Sequence, residues 1–309
     1  MATLSGARAA SRSQVAYWRV RILVTNDDGV HAPGLAALTR ALAAWADESP
    51  DDRQVIVVAP LANYSGAAAA VGTVYEREAI AYKTAQIPGA ESVEAYGLDA
   101  SPALSVIVSA MGAFGPRPDL VCSGINLGVN VGRSVLHSGT VGAVLTGAQL
   151  GMSGLAVSLR SGGKVDHWKT ASALAVNVLP ALAAAQPRTL LNLNVPSLPL
   201  EELQGVRRGR ISTAGLIKAA TGSPVTAPEP GSRAQLVAGS GGEGEVLLTL
   251  GAAVPSLGDV GDEDQEDDGA LVAAGFASLT PIAGVREDSS PDADDVVRAA
   301  LASLAALAN

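Results

Sequence analysis

The chain has 309 residues, a formal net charge of −9 at pH 7 and a single cysteine, Cys122, so it can form no intramolecular disulfide. A chain of this length can bury a large core in one domain or in two unequal ones, and no apolar stretch reaches the roughly 20 residues of a membrane-spanning helix. The acidic balance disfavours long nucleic acid as a partner, and we expect a cytoplasmic protein with no membrane partner.

Residues 1–19 contain arginines among Ala and Ser but lack the apolar region of a signal peptide, so we predict a disordered leader. After it, short β-branched runs alternate with Ala- and Leu-rich helical segments. This alternation predicts an α/β fold with a mostly parallel sheet and helices on both faces. The predicted strands are residues 20–24, 55–58, 120–122, 155–159 and 190–195. The predicted helices are residues 33–45, one that starts after an N-cap at Ser101, one that starts near Gly139, and residues 166–184.

From about Pro196 the pattern changes to short strand-like pieces, at 246–250 and 276–281, separated by Gly, Pro and acidic residues. An Ala- and Leu-rich helix at 292–308 closes the chain. We therefore divide the chain into a leader at 1–19, a catalytic core at 20–196 and a smaller β-rich region with the terminal helix at 197–309. The acidic run from Asp262 to Asp268 is expected to be a solvated loop, because packed like charges favour disorder over cation binding.

Two adjacent carboxylates, Asp27 and Asp28, follow the first predicted strand directly. In a parallel sheet with helices on both faces, ligands bind at the carboxyl ends of the strands. Two neighbouring carboxylates there are unfavourable unless a cation shares them. The alternative is an ordinary Asx turn before the helix, since Asn and Asp favour turns.

Ser65 follows the second predicted strand, and Asn126 follows the third. If these strands are parallel, both loops open at the same edge as Asp27 and Asp28. Two carboxylates, a hydroxyl and an amide oxygen form an all-oxygen ligand set that suits Mg²⁺ or Mn²⁺. Taken singly, Ser65 and Asn126 fit a turn or capping role equally well.

Ser138-Gly139-Thr140 opens a predicted helix, where backbone N–H groups and two hydroxyls form a potential anion site. An ordinary N-cap at Ser138 is the alternative. His31 lies just past the paired carboxylates and is expected to be a loop residue bonded to backbone, or else a proton donor to a leaving group. There is no sequence signature of a Ser/His/Asp or Cys/His catalytic arrangement.

These segments together resemble the SurE family of survival-protein nucleotidases, strongly over residues 20–160 and more weakly to about 285. The residues that carry the resemblance are Asn26-Asp27-Asp28-Gly29 with Ala32-Pro33-Gly34, Ser65-Gly66, Ser123-Gly124-Ile125-Asn126 with Gly128 and Asn130, Ser138-Gly139-Thr140-Val141, and Thr280-Pro281. The chain differs from the family pattern at Leu104, at 67–70 and at Thr146.

The resemblance implies a Rossmann-like core with a smaller oligomerisation region, and hydrolysis of nucleoside 5′- or 3′-monophosphates. It implies that Asp27, Asp28, Ser65 and Asn126 bind one divalent metal ion per subunit, Mg²⁺ or Mn²⁺, with Asp27 and Asp28 as the catalytic carboxylates. Around the phosphate it places Asn130, Ser138, Gly139 and Thr140. A homodimer or homotetramer is expected.

Two other functions fit parts of the sequence. Asp27 or Asp28 would be a nucleophile if the enzyme formed an aspartyl-phosphate, although the usual pair of aspartates separated by one residue is not recognisable. The same scaffold would also suit a non-catalytic nucleotide-binding module, although no Gly-x-Gly-x-x-Gly follows the first strand.

Overall fold

A computed structural model describes residues 20–49, 52–72, 74, 78–160, 166–212, 233–238, 244–249, 267–285, 290–291, 293, 295–298 and 300–301. The leader at 1–19 lies outside the described residues, as do most of the acidic run and the end of the predicted terminal helix. The strands are β1 (Val20–Thr25), β2 (Arg53–Pro60), β3 (Tyr82–Ala85), β4 (Glu94–Leu98), β5 (Leu120–Leu127), β6 (Ser153–Leu159), β7 (Leu190–Val195), β8 (Val206–Arg208), β9 (Arg233–Ala238), β10 (Gly244–Thr249) and β11 (Ala277–Ile282). The α-helices are α1 (Pro33–Asp47), α2 (Pro102–Ala110), α3 (Gly139–Gln149), α4 (Trp168–Ala183) and α5 (Asp268–Ala273), with 3₁₀ segments at Gly132–His137 and Leu200–Glu202.

The main sheet has nine strands in the order β3-β4-β2-β1-β5-β6-β7-β11-β8, and β9 pairs with β10 separately. Its central neighbours are parallel, whereas β3 runs antiparallel to β4 and β11 runs antiparallel to β7. The α/β prediction with a mostly parallel sheet is therefore confirmed. The chain passes from β1 to β2 on one side of β1 and later places β5 on the other side. In sheets of this kind, ligands bind at the carboxyl ends of the strands where the order reverses, which here are β1 and β5.

Helices cover both faces of the sheet. One apolar cluster packs α1 and α4 against one face, through side chains such as Leu38, Leu42 and Leu179. A second cluster packs α2 and α3 against the other face, through side chains such as Leu104 and Val144. Because both faces of the central strands are covered, these strands are nearly continuous apolar runs, which is why the sequence pattern identified them.

The helix starts follow local sequence rules. Pro33 occupies the first position of α1, where its missing N–H is not needed. The Ser101 hydroxyl accepts a hydrogen bond from Leu104 N at 3.2 Å and caps α2, as predicted. The described residues contain no helix that is both long enough and apolar enough to span a membrane.

In the C-terminal part, one predicted strand is confirmed, and the expectation for the acidic run is wrong at its last two residues. The strand predicted at 276–281 is β11, which joins the main sheet beside β7. Asp267 and Asp268, at the end of the acidic run, do not lie in a solvated loop. Asp267 caps α5 by accepting from Gly269 N at 2.9 Å, and Asp268 is fully buried.

Candidate active site

The residues singled out from the sequence lie at the carboxyl-terminal edge of the main sheet. Asp27 and Asp28 follow β1, Ser65 follows β2, Asn126 is near the end of β5, and Ser138 precedes α3. The parallel pairing of β1 with β2 and with β5 brings these strand ends to one side of the molecule. The premise of the sequence-based site, that three strand-end loops open together, therefore holds.

Asp27 is packed against the start of α3. Its carboxylate is only 3% exposed and accepts a hydrogen bond from the Thr140 hydroxyl at 2.5 Å. Gly139 makes this approach possible, because a Cβ at that position would lie 2.7 Å from Asp27 Cβ and 2.9 Å from Asp27 Oδ2. The contact between the Asp27 loop and α3 thus depends on a glycine and a hydroxyl that are adjacent in the sequence.

Asp28 points to the end of β5. The backbone N–H of Leu127, the residue after Asn126, interacts with this carboxylate and favours its charged form. Burial raises the pKa of Asp28, the negative charge of Asp27 raises it further, and the Leu127 N–H partly opposes both effects. No lysine or arginine among the described residues forms a salt bridge with either carboxylate. No side-chain cation of the described residues therefore compensates the charge of this pair.

The loop after β2 is attached to Asp27 through the backbone. Tyr64 N donates to Asp27 O at 2.7 Å, which fixes the residue just before Ser65. Ser65 N donates to the Asn63 side chain at 2.7 Å, and the Ser65 residue itself is exposed. The same loop reaches the segment before α3, because Ala68 N donates to His137 O at 3.2 Å.

Asn126 is oriented by its own amide group. Its Nδ2 donates to Gly128 O at 2.6 Å, and this bond fixes which of the two amide ends faces the backbone. The Oδ1 atom accepts no hydrogen bond from the described residues. Gly124, two residues earlier, has a φ of +136°, and a Cβ there would lie 2.3 Å from Val157 O. A glycine is therefore required for β5 to bring Asn126 to this position beside β6.

Asn130 is held by side chains of the neighbouring strands β6 and β7. Its backbone N donates to Asn194 Oδ1 at 2.7 Å, and its carbonyl accepts from Asn192 Nδ2 at 2.8 Å and from Asn194 Nδ2 at 3.0 Å. Its side-chain Nδ2 donates to Ser158 Oγ at 2.9 Å. Asn130 is therefore fixed by β6 and β7, and one amide hydrogen is left free of these contacts.

Ser138 caps α3, as in the simpler of the two sequence interpretations. Its hydroxyl oxygen accepts from Val141 N at 3.1 Å. The backbone N–H groups of Gly139 and Thr140 have no acceptor among the described residues, as expected for the first turn of a helix. The Thr140 hydroxyl is committed to Asp27, so an anion at this helix start would meet the Thr140 backbone N–H rather than its side chain.

The donors present suit a hard cation. Among the described residues, no cluster of three or more His, Cys, Asp or Glu side chains is placed to hold a metal ion, so a zinc-type cage is absent there. The set of two carboxylates, one hydroxyl and one amide oxygen instead fits Mg²⁺ or Mn²⁺. His31 is exposed beside this set, and no hydrogen bond of its side chain to the described residues is seen. The expectation that His31 is bonded to backbone is thus not met within that part of the chain.

Some residues around the site were not identified from the sequence. Asn192 and Asn194 alternate with leucines in β7, and that period places both side chains on one face of the strand. This pattern, two asparagines on one face of an otherwise apolar strand, could have been used to predict a buried polar contact. Thr25 and Ser123 are paired across β1 and β5 beneath the site, and both hydroxyls are buried without a partner in the described residues.

Comparison with known proteins gives consistent matches. The family model of survival protein SurE matches residues 22–217. The 5′/3′-nucleotidase SurE of Cronobacter sakazakii is 41% identical over 190 residues, which are 61% of this chain and 68% of that protein. The 5′-nucleotidase SurE of Ectopseudomonas mendocina is 35% identical over 265 residues, which are 85% of this chain and 92% of that protein. The crystal structure of the SurE protein from Aquifex aeolicus superposes with a TM-score of 0.63 at 26% identity, over 85% of this chain and 93% of that one.

Proposed function

The chain belongs to the survival protein SurE family and is a 5′-nucleotidase, and we propose that one divalent metal ion, held by Asp27, Asp28, Ser65 and Asn126, is essential to its activity. The substrates are nucleoside 5′-monophosphates, and 3′-monophosphates are a second substrate class. The observation that carries the proposal is the 2.5 Å contact of Asp27 with Thr140, which joins a pair of uncompensated carboxylates to an open helix start.

The four ligands are chemically suited to Mg²⁺ or Mn²⁺. Burial makes the Asp28 carboxylate dependent on nearby positive charge, which is the behaviour expected of a metal ligand. Asn126 uses its nitrogen on Gly128, so its oxygen is the atom available to a cation. When bound, the divalent cation supplies positive charge that stabilises the phosphoryl oxygens as negative charge develops on them.

The protein itself supplies the rest of the phosphate site. The N–H groups of Gly139 and Thr140 and the positive end of the α3 dipole attract the phosphoryl oxygens. Asn130 adds its remaining amide hydrogen, and the Ser138 hydroxyl hydrogen is also available because Ser138 accepts rather than donates in its cap. These donors are fixed before the substrate binds, so little reorganisation is needed as charge develops.

Asp27 is the residue that joins the two parts of the site. Its carboxylate is held by the Thr140 hydroxyl and confined by Gly139, so the metal ligands and the anion-binding helix start keep a constant separation. In-line attack on phosphorus by water requires such a fixed arrangement, because small misplacements reduce the rate strongly.

Phosphate release from a panel of nucleoside 5′- and 3′-monophosphates tests the proposal. The full chain would be assayed with Mg²⁺, with Mn²⁺ and with a chelator, beside the variants Asp27→Asn and Asp47→Asn. Asp47 is an exposed acid at the end of α1 and serves as the matched control. Release that needs the metal and is lost only in Asp27→Asn supports the proposal. Equal release in the chelator contradicts it, and a trapped phosphorylated aspartate would instead support the aspartyl-phosphate mechanism.

We also propose a homodimer or homotetramer in the cytoplasm. Large apolar side chains are exposed in the C-terminal part of the chain, among them Val206 at 48%, Val296 at 70% and Leu301 at 61%. A second copy of the chain would cover such side chains. The single cysteine, Cys122, is buried and its pKa is raised to about 12 by burial, which suits a protein with no disulfide chemistry.

A further inference from the structure

Asp268 is a buried acid that connects the C-terminal part of the chain to the loop before α3. Its residue exposure is 0%. Oδ1 accepts hydrogen bonds from Gly132 N at 3.1 Å, Ser212 N at 3.3 Å and Gly269 N at 2.9 Å, and Oδ2 accepts from Gly132 N at 3.0 Å. One carboxyl group thus joins three segments that are far apart in the sequence.

The start of α5 does not require this burial. Asp267 already caps the helix by accepting from Gly269 N at 2.9 Å and Ala270 N at 3.3 Å. No cation among the described residues forms a salt bridge with Asp268, and burial raises its pKa to about 6 despite the three N–H donors. A buried acid at position 268 is unfavourable for stability. We therefore ask which segments its hydrogen bonds keep in place.

Asp268 holds Gly132, in the turn between Asn130 and the start of α3, which are the two parts of the proposed phosphate site. Gly132 lies two residues after Asn130, whose backbone is clamped by Asn192 and Asn194 of β7. It also begins the 3₁₀ segment Gly132–His137 that leads directly to Ser138 and α3. In the short segment that leads from Asn130 to the start of α3, β7 therefore holds Asn130, and Asp268 holds Gly132 two residues later.

The same polar layer continues into β11. Ser278 pairs with Asn194, and Thr280 pairs with Asn192, in the antiparallel ladder between β11 and β7. A Cβ on Gly209 would lie 2.2 Å from Ser278 Oγ, 2.4 Å from Thr280 Oγ1 and 3.2 Å from Asp268 Cβ. Asp268, Ser278 and Thr280 therefore lie around Gly209, next to the strand β7 that holds Asn130. Polar contacts thus link the C-terminal strands to the site.

We propose that Asp268 is a positioning residue for phosphoryl transfer, which acts by fixing Gly132 and thereby the relative placement of Asn130 and the α3 start. The proposal rests on the proposed function, because it assigns Asp268 to the phosphate side of that site. The hydrogen-bond partners of Asp268 in the described residues do not include any of the four proposed metal ligands. The metal affinity should therefore be independent of it.

The test compares Asp268→Ala with the neighbouring variant Asp267→Ala, both in the full chain. Asp268→Ala removes the acceptor for Gly132, and we expect kcat for a nucleoside monophosphate to fall 10- to 100-fold, on the order of a 1 Å misplacement. The Mn²⁺ concentration for half-maximal activation should change less than twofold. Asp267→Ala removes only the cap of α5 and should leave kcat within twofold.

A conservative variant separates positioning from charge. Asp268→Asn keeps Oδ1, which contacts all three donors, but replaces Oδ2, the second acceptor for Gly132 N, with an NH2 group. It should therefore recover only part of the kcat that Asp268→Ala loses. If Asp268→Ala does not fold, Asp268→Ser replaces it, because serine lacks both carboxylate oxygens that accept from Gly132 N but keeps one polar atom in the buried position. An unchanged kcat in a folded Asp268→Ala or Asp268→Ser, or an equal loss in Asp267→Ala, would overturn the proposal.

Hydrogen exchange gives a readout that does not depend on catalysis. Amides of residues 130–138 should exchange at least tenfold faster in Asp268→Ala than in Asp267→Ala. If the unmodified chain released no phosphate but this difference were present, the proposed function would fail while the structural link stood. If phosphate release were metal-dependent but exchange and kcat were unchanged in Asp268→Ala, only the positioning role would fail.

Discussion

Thr140→Val should weaken catalysis without changing the shape of the α3 start. Valine fills nearly the same volume as threonine but lacks the hydroxyl that donates to Asp27 Oδ1 at 2.5 Å in a fully buried position. Hydrogen bonds to charged groups contribute about 1.5–3 kcal/mol. If the Thr140 bond orients Asp27 for the reaction, its loss should lower kcat/KM by roughly 10- to 150-fold, at about 1.4 kcal/mol per factor of ten.

The assay is phosphate release from a nucleoside 5′-monophosphate at saturating Mn²⁺, beside thermal or denaturant unfolding of the metal-free chain. We expect the free energy of unfolding to fall by about 1–3 kcal/mol, because a buried acceptor loses its donor. Thr140→Ser keeps the hydroxyl and should retain most of the activity. Full kcat/KM in Thr140→Val, with the protein folded, would refute the role given to this hydrogen bond.

Three further outcomes are expected. In Gly139→Ala the new Cβ would lie 2.7 Å from Asp27 Cβ, so the carboxylate must shift and kcat/KM should fall about 10- to 100-fold; Gly284→Ala, where nothing lies within 4 Å, should leave it unchanged. Ser65→Ala should raise the Mn²⁺ concentration for half-activation about tenfold and change unfolding by less than about 0.5 kcal/mol, because Ser65 is exposed; an unchanged Mn²⁺ requirement would remove Ser65 from the ligand set. For Asp268, burial raises the pKa from the ordinary 3.8 to about 6, so the protonated acid favours the fold, and its contribution is present below about pH 4 and lost as the pH rises through 6. Relative to Asp268→Asn, the unmodified chain should therefore lose at most about 3 kcal/mol of unfolding free energy between pH 4 and pH 7, at about 1.4 kcal/mol per pKa unit. Parallel pH profiles of urea unfolding for the two chains would contradict this assignment.

The central strands and the helix starts could be predicted from the sequence because local rules determine them. Strands buried on both faces are apolar runs, and β7 has the predicted bounds of 190–195. Ser101 before Pro102 is a local capping signal, and the structure places α2 there. The strands β3 and β4 were missed, because β3 is an edge strand with mostly exposed residues and β4 contains glycine and glutamate.

The side chains at the strand ends were also predictable in part. A parallel sheet brings the ends of neighbouring strands together, so Asp27, Asp28, Ser65 and Asn126 had to reach one edge once β1, β2 and β5 were parallel. Hydrogen-bond roles were less predictable. The Thr140 hydroxyl binds Asp27, which the sequence pattern alone had not distinguished from a direct contact with phosphate.

The polar support behind the site could not be predicted, because it joins residues that are distant in the chain. An acidic run is normally solvated, and Asp268 is buried because α5 packs against segments that are distant in the chain, among them the loop before α3 and Ser212. The clamp on Asn130 likewise requires β7 to lie beside β6, and nothing in the sequence near Asn130 indicates this pairing. Tertiary contacts of this kind are decided by the whole fold.

Metal titration of the chelator-treated full chain tests the central claim most directly. Mn²⁺ binding would be counted by its magnetic resonance signal while phosphate release from a nucleoside 5′-monophosphate is followed in the same samples. We expect no phosphate release without metal, and release that saturates as one Mn²⁺ binds per chain. In Asp28→Asn, both Mn²⁺ binding and phosphate release should be lost. Undiminished phosphate release in the metal-free chain, or one tightly bound Mn²⁺ in Asp28→Asn, would contradict a metal site built on these paired carboxylates.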